Sequence, residues 1–156
     1  MWYSMATGSQ RLSVSAKKSA SARWGTIARY VWAFPTTLVG LLFVPLTLLR
    51  GGSRRVVGGV LELHAPAIAL VLRRCVPIPG GAAAMTLGHV VIGRDSRTLQ
   101  VTRAHERIHV RQCEMWGPIF IPAYLLATLW AVGTGGHAYS DNRFERQAYA
   151  AQRHPH

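Results

Sequence analysis

The residues best suited to chemistry form an H-E-x-x-H motif, His105-Glu106-Arg107-Ile108-His109. Residues four apart share one face of a helix, so both imidazoles can reach the same zinc ion. Glu106 lies about 100° round the helix from His105 and can reach a water at the metal without ligating it. Zinc lowers the pKa of such a water to about 7, and a neighbouring carboxylate can then take its proton. The motif therefore predicts a hydrolytic zinc site.

A catalytic zinc site also needs a third protein ligand and an open position. The acids downstream of the motif are Glu114, Asp141 and Glu145. Glu114 follows His109 on the same helix and points away from the two imidazoles. Asp141 is better used as a helix cap, whereas Glu145 falls in the first turns of the predicted last helix. We therefore predict Glu145 as the third ligand.

An H-E-R-I-H motif followed by a carboxylate on a later helix resembles the gluzincin class of zinc metallopeptidases. The segments 105–112, 116–118 and 141–146 resemble, in addition, small membrane proteins of bacteria. The similarity covers roughly residues 86–150. It implies a membrane-associated zinc metallopeptidase that hydrolyses peptide bonds.

The resemblance also implies a role for each residue of the site. The implied zinc ligands are His105, His109 and Glu145. Glu106 is implied as the general base that activates water. His137 and Tyr139, just before the predicted ligand helix, are candidates for stabilising the oxyanion.

The ligand set restricts the path of the chain through a membrane. Residues 116–136, between the motif and Glu145, form an uncharged run of twenty-one residues. A single crossing by this run would separate the ligands by the thickness of a bilayer core, about 30 Å. The run must instead dip in and return, or pack flat as a membrane-facing helix. A zinc site and two membrane spans exclude each other, and we prefer the zinc site.

Composition favours a membrane surface over a large soluble enzyme. The chain has 156 residues, of which 49% are apolar and 15% charged, and its net charge is +12. Such a balance suits a membrane with anionic lipids, expected here as a partner beside a peptide or protein substrate. The arginines are scattered without a recognisable nucleic-acid-binding fold, so no nucleic-acid partner is expected. The expected location is the bacterial inner membrane, with the cytoplasmic side favoured for the active site.

Three regions follow from the distribution of charge. Residues 1–29 form a basic, mobile tail. Residues 30–49 are uncharged and long enough to enter a membrane, either as a spanning helix or as a kinked hairpin. Residues 50–156 form a minimal zincin-like domain, in which 116–136 faces the membrane.

The predicted fold class is α+β: a membrane helix, a small antiparallel sheet, an active-site helix and a C-terminal ligand helix. Two or three strands are predicted from the stretches 56–63, 67–72 and 85–92. An edge strand near 88–92 is expected to pair with an extended substrate. The active-site helix is predicted from an N-cap at Thr102 to about Trp116, and the last helix from Asp141 or Asn142 to about Gln152.

A non-catalytic integral membrane protein is the alternative, with a site that only binds metal or only holds an assembly together. If the role is purely structural, purified protein carries no stoichiometric zinc. Arg103, Arg107 and Arg111 recur at helical spacing, which suits either lipid headgroups or a solvated face. Gln112 is interpreted as an ordinary polar residue on the surface of the helix.

Overall fold

The structure is a computed structural model that describes residues 25–76, 78 and 80–153. Most of the predicted basic tail, at 1–29, lies outside these residues. Within them the fold is mixed α+β, with helices packed on a small four-stranded sheet. The predicted fold class is confirmed at this level.

The sheet is mixed rather than antiparallel. Its strands are β1 Ser53–Val57, β2 Val60–His64, β3 Ala84–Leu87 and β4 Val90–Gly93. Two antiparallel hairpins, β1–β2 and β3–β4, are joined by a parallel pairing of β2 with β4, which gives the order β1-β2-β4-β3. The prediction of an edge strand near 88–92 is therefore wrong, because β4 is central and β3 forms that edge.

A crossover helix explains the parallel pairing. Parallel strands need a crossover connection, which is usually a helix. Helix α2, Pro66–Arg74, lies in the connection from β2 to β3. Pro66 is in its first turn, where a backbone N–H has no partner within the helix, so the lack of this group in proline costs no hydrogen bond. The stretch 67–72, predicted as a possible strand, lies inside this helix. Its short aliphatic run suits a buried helix face as well as a strand.

The sheet lies between two helices. Val90 and Ile92 of β4 pack in one apolar cluster with Ile68 and Leu72 of α2. Val91, on the opposite face of the strand, packs in another with residues of helix α3, Ser96–Trp116. Side chains alternate along a strand, so β4 contributes to both clusters and is buried throughout. The sheet thereby fixes the position of α3.

Helix α3 begins earlier than predicted. The carboxylate of Asp95 accepts a hydrogen bond of 2.7 Å from the backbone N–H of Thr98, so Asp95 is the N-cap. Thr102, the predicted cap, lies inside the helix and donates from its hydroxyl to the carbonyl of Thr98. The helix ends at Trp116, as predicted. The early start places the H-E-x-x-H motif in the middle of a long helix.

The apolar run 116–136 contains a short 3-10 turn, Gly117–Ile119, and helix α4, Phe120–Gly133. Helix α5, Arg143–Arg153, follows. Its start is capped by Asn142, whose side-chain oxygen accepts from the backbone N–H of Phe144 at 2.8 Å. The last helix is thus confirmed close to its predicted bounds.

The predicted membrane segment 30–49 is broken. Helix α1 occupies residues 25–41, and a separate 3-10 turn, Val44–Leu48, follows it with a proline in its first turn. The described part of α1, residues 25–41, extends for about 25 Å at 1.5 Å per residue. Within residues 30–49 the chain is therefore a helix to residue 41 followed by a separate 3-10 turn.

One stripe of small residues attaches α1 to the rest of the protein. Ala33 and Thr36 are buried, while Val31 on another face is 68% exposed. The indole N–H of Trp32 donates to the carbonyl of Met115, near the end of α3. Most of the apolar surface of α1 is therefore left without a partner among the described residues.

The helical stretch Ser96–Gly133 is the one stretch among the described residues that is long and apolar enough to cross a membrane. This result rests on length and composition alone. The most apolar 18 residues of the stretch have a mean hydropathy of 1.5, and 17% of these residues are buried. The 3-10 turn at Gly117–Ile119 separates the stretch into α3 and α4.

Gly88 in the β3–β4 turn allows α1 to approach the sheet. Its φ is +65°, which favours glycine, and a Cβ there would lie 2.5 Å from the backbone N of Thr37. Gly88→Ala should therefore lower the free energy of unfolding by about 2–4 kcal/mol through strain and overpacking. Denaturant unfolding in detergent measures this change.

The matched control is Gly133→Ala, at the end of α4, where a Cβ meets no atom within 4 Å. It should change the free energy of unfolding by less than about 0.5 kcal/mol. Equal stability of the two variants would contradict the close packing of α1 on the turn.

Candidate metal centre

Helices α3 and α5 bring three ligand-type side chains together. His105 and His109 project from one face of α3, and Glu145 projects from the first turn of α5. The Nε2 atoms of the two histidines are 3.0 Å apart. The Glu145 carboxylate lies 3.0 Å from Nε2 of His105 and 3.2 Å from Nε2 of His109. All three residues are buried, and together they can hold a metal ion.

The separations fit a small tetrahedral ion. Zinc bonds to imidazole nitrogen and carboxylate oxygen are about 2.0–2.2 Å long, so tetrahedral ligand atoms lie about 3.3–3.5 Å apart. The two imidazole nitrogens are 3.0 Å apart, and each lies 3.0–3.2 Å from a different oxygen of the Glu145 carboxylate. Two imidazoles and one carboxylate are also the donor set of known catalytic zinc sites. The residues therefore fit zinc.

Gln112 fixes the tautomer of His109. Its side-chain N–H group donates to the carbonyl of Phe144 and to the side chain of Gln147, so its side-chain oxygen is free to accept. That oxygen lies 2.8 Å from Nδ1 of His109, which must then carry the proton. When Nε2 also carries a proton, it donates a hydrogen bond to Glu145; when Nε2 is unprotonated, its lone pair is available to a metal.

The Glu145 carboxylate is ionised. Burial raises the pKa of this carboxyl, but hydrogen bonds from His105 and His109 outweigh that effect and bring the pKa to about 2. The hydroxyl of Tyr124 also donates to its Oε1 at 2.7 Å. The cluster thus presents a fixed negative charge in a buried place, which favours a cation.

Glu106 lies beside the cluster without belonging to it. Its side chain is buried, and the hydroxyl of Thr86 on β3 donates to its Oε2 at 2.7 Å. Burial raises the pKa of the Glu106 carboxyl, although the hydrogen bond from Thr86 and the neighbouring histidines lower it. A carboxyl with a raised pKa, close to three metal-type ligands, suits a group that accepts and returns a proton.

Of the two residues predicted to stabilise an oxyanion, only Tyr139 reaches the cluster. Its hydroxyl lies 3.4 Å from Nε2 of His105 and also accepts from the hydroxyl of Tyr149 at 3.4 Å. His137 is exposed, and its backbone N–H donates to Asp141. Asp141 therefore stabilises the turn before α5, while Asn142 caps the helix.

Three other charged residues of α3 have structural contacts. Arg103 forms a bidentate ion pair with buried Glu62 of β2, at 2.7 and 2.9 Å. Arg107 donates to backbone carbonyls of the β1–β2 turn. Glu114 points away from the motif, as predicted, and lies 3.2 Å from Nε2 of His89. The basic stripe on α3 thus anchors the first hairpin through two of its three arginines.

Sequence reasoning missed most of the residues that surround the cluster. Gln112 lies three residues after His109, and this spacing was the only signal that it could contact the site. Tyr124 and Tyr149 come from α4 and α5, and Thr86 comes from β3. Their positions depend on how these elements pack, so local sequence carries no signal for them.

No protein-family model, curated protein or solved structure matches this chain.

Replacing the Gln112 side chain should weaken metal binding. Gln112→Met removes the acceptor that orients His109, and loss of such a partner typically reduces metal affinity by about 10–100-fold. Competition with a chromogenic chelator, with zinc as the added metal, measures the affinity. The control is Gln147→Met, which removes a partner of Gln112 but leaves its contact with His109, and it should stay within a few-fold of wild type. Equal affinity in all three proteins would contradict the orienting role.

Proposed function

We propose that this protein is a membrane-associated zinc metallopeptidase of the gluzincin type. One observation carries the proposal: three buried ligand-type side chains converge on one point with Glu106 directly beside them. The fold supports it, because β3 presents a sheet edge along α3 and an open cleft adjoins the cluster. Extended peptides commonly bind by adding a strand to such an edge.

In this proposal His105, His109 and Glu145 hold zinc. The ion, when bound, polarises a peptide carbonyl and lowers the pKa of water. Glu106 takes a proton from the attacking water and returns it to the leaving amine. Thr86 holds the Glu106 carboxylate in place through its hydroxyl, and Tyr139 donates a hydrogen bond toward the oxygen on which negative charge develops.

The exposed apolar surfaces of α1 and α4 support attachment to a membrane. In α4, Leu126, Leu129 and Trp130 are 67%, 68% and 75% exposed. The segment after α1 carries exposed arginines, and the whole chain has a net charge of +12. An apolar face flanked by cations suits an anionic bilayer surface. We propose that α1 and α4 lie in the interface, with the site on one side of the bilayer, because Glu145 returns to the motif after α4.

A non-catalytic membrane protein is the second candidate, and one observation favours it. His105, His109 and Glu145 hydrogen-bond to one another as well as facing a common point. These contacts join α3 to α5 without a metal. Metal content separates a purely structural protein from the peptidase, and hydrolysis separates a protein that only binds metal from the peptidase.

Protein purified in detergent should contain about one zinc per chain. His154 and His156, which lie outside the described residues, are replaced by asparagine in every sample so that the tail binds no metal. The double variant His105→Ala, His109→Ala should lose the zinc, because one carboxylate alone does not hold it. The control His137→Ala should retain it. Elemental analysis with circular dichroism of each sample measures both metal and folding, and wild type without zinc would contradict the proposal.

Glu106→Gln should retain zinc and lose hydrolysis. Glutamine keeps the shape of the side chain and can still accept from Thr86, but it cannot take a proton from water. The rate should fall by at least about 10²–10⁴-fold, as for loss of a general base. A fluorescence-quenched peptide library in detergent micelles provides the assay.

Glu114→Gln is the control for this substitution. Glu114 lies on the same helix but contacts His89 and Arg29 rather than the cluster. Its variant should cleave at close to the wild-type rate. Wild-type cleavage by Glu106→Gln would refute the assigned role of Glu106.

A further inference from the structure

Two cavities meet at the H-E-x-x-H motif. One has a volume of about 330 Å³ and the other about 470 Å³. Both are lined by His105, Glu106 and Tyr139, and Ala84 at the start of β3 contributes to both. Together they form a groove that passes over the site, with the edge of the sheet along one wall.

The 330 Å³ cavity is apolar except where it meets the metal centre. Away from that centre its walls include Val76, Ile78, Met85, Ile121 and Leu125. Among the described residues that line it there is no lysine, arginine or aspartate, although the chain is strongly basic. An apolar cavity of about 150 Å³ already accommodates benzene. This one therefore has room for a large aliphatic or aromatic side chain.

The other cavity has a different character. It adds Val101 and Thr102 from α3 and Tyr149 and Gln152 from α5. It is wider and more polar, and it lacks the aliphatic wall that α4 provides. The groove therefore differs on the two sides of the site. Only the side lined by α4 can select strongly for an apolar side chain of a bound molecule.

The apolar cavity also borders the exposed face of α4. Leu125 lines the cavity and is 53% exposed, so it lies at the mouth. Leu126 and Leu129, its neighbours on the helix, belong to the surface assigned above to the membrane. A side chain leaving that surface can enter the cavity without crossing a charged rim.

We propose that the substrate is a membrane-apposed peptide that places one large apolar side chain in the 330 Å³ cavity, next to the bond to be cleaved. The proposal rests on the metallopeptidase function proposed above and assigns its specificity to the α4 side of the groove. The peptide backbone lies along β3, and the residue on the other side of the bond faces the wider cavity.

Hydroxamates that chelate zinc test this substrate class. Two pairs of hydroxamates are compared. Within each pair, one compound carries a benzyl group at a given carbon and the other carries hydrogen there. In the first pair this is the carbon next to the hydroxamate carbonyl, and in the second it is the following carbon. Calorimetry on the zinc-loaded protein in detergent should show that the benzyl compound binds roughly 10–100-fold more tightly in one pair, as expected for burying a large apolar side chain.

Leu125→Glu should reverse this preference. A carboxylate at the mouth disfavours the benzyl group and attracts a cation, so a 4-aminobutyl side chain at the same carbon should bind more tightly than to wild type. A merely structural defect would not produce this gain. Leu129→Glu is the matched control. Leu129 lies on the same helix as Leu125 and is also more than half exposed, but it does not line the cavity. It should keep the wild-type preference and zinc content.

The outcomes distinguish the substrate class from the function on which it rests. If the unsubstituted hydroxamates bind but the benzyl group adds nothing in either pair, the substrate class is wrong and the metal site stands. If octanohydroxamate binds more tightly than every benzyl compound, the cavity takes an acyl chain and the peptide assignment is overturned. If no zinc is retained and no hydroxamate binds, the proposed function and this inference both fail.

Discussion

The structure depends on the meeting of α3 and α5 at a buried carboxylate. Glu145 lies within 3.2 Å of two imidazoles in a place from which water is largely excluded. An ionised carboxylate cannot be left unpaired there, so the two helices must stay together. Because these helices are separated in sequence by the apolar segment 116–136, that segment has to return the chain to the side from which it came. The 3-10 turn at Gly117–Ile119 and the loop before α5 achieve this reversal.

The same constraint connects the site to its surroundings. Gln112, Tyr124 and Thr86 each hold one polar group of the site in a defined orientation, and they come from α3, α4 and β3. Each of these elements also packs into an apolar cluster. Orientation of the ligands is therefore a result of packing, and a buried network of this kind is strong only when all of its members are satisfied.

The apolar surface of the protein is divided between a core and a face without a partner. The small residues of α1 pack on the β3–β4 turn, while its large apolar residues point outward. In α4, Phe120 is buried against Phe144, whereas the leucines on the opposite side are exposed. An exposed apolar face of this extent marks an interaction surface. Under the function proposed here, this face would hold a membrane surface next to the cleft through which a substrate enters.

The sequence by itself determined the local features of this protein. The spacing of His105 and His109 places them on one helix face, Asn142 starts α5, and the lack of charge in 116–136 marks an apolar element, because each depends on near neighbours in the chain. The sequence also predicted Glu145 as the residue that joins the two histidines. Only the tertiary structure decided how closely these three side chains approach, that the sheet is mixed with β3 at its edge, and that Gln112, Tyr124 and Thr86 surround the cluster. These contacts join residues from different elements, and their formation depends on the summed packing of the whole chain rather than on any short pattern within it.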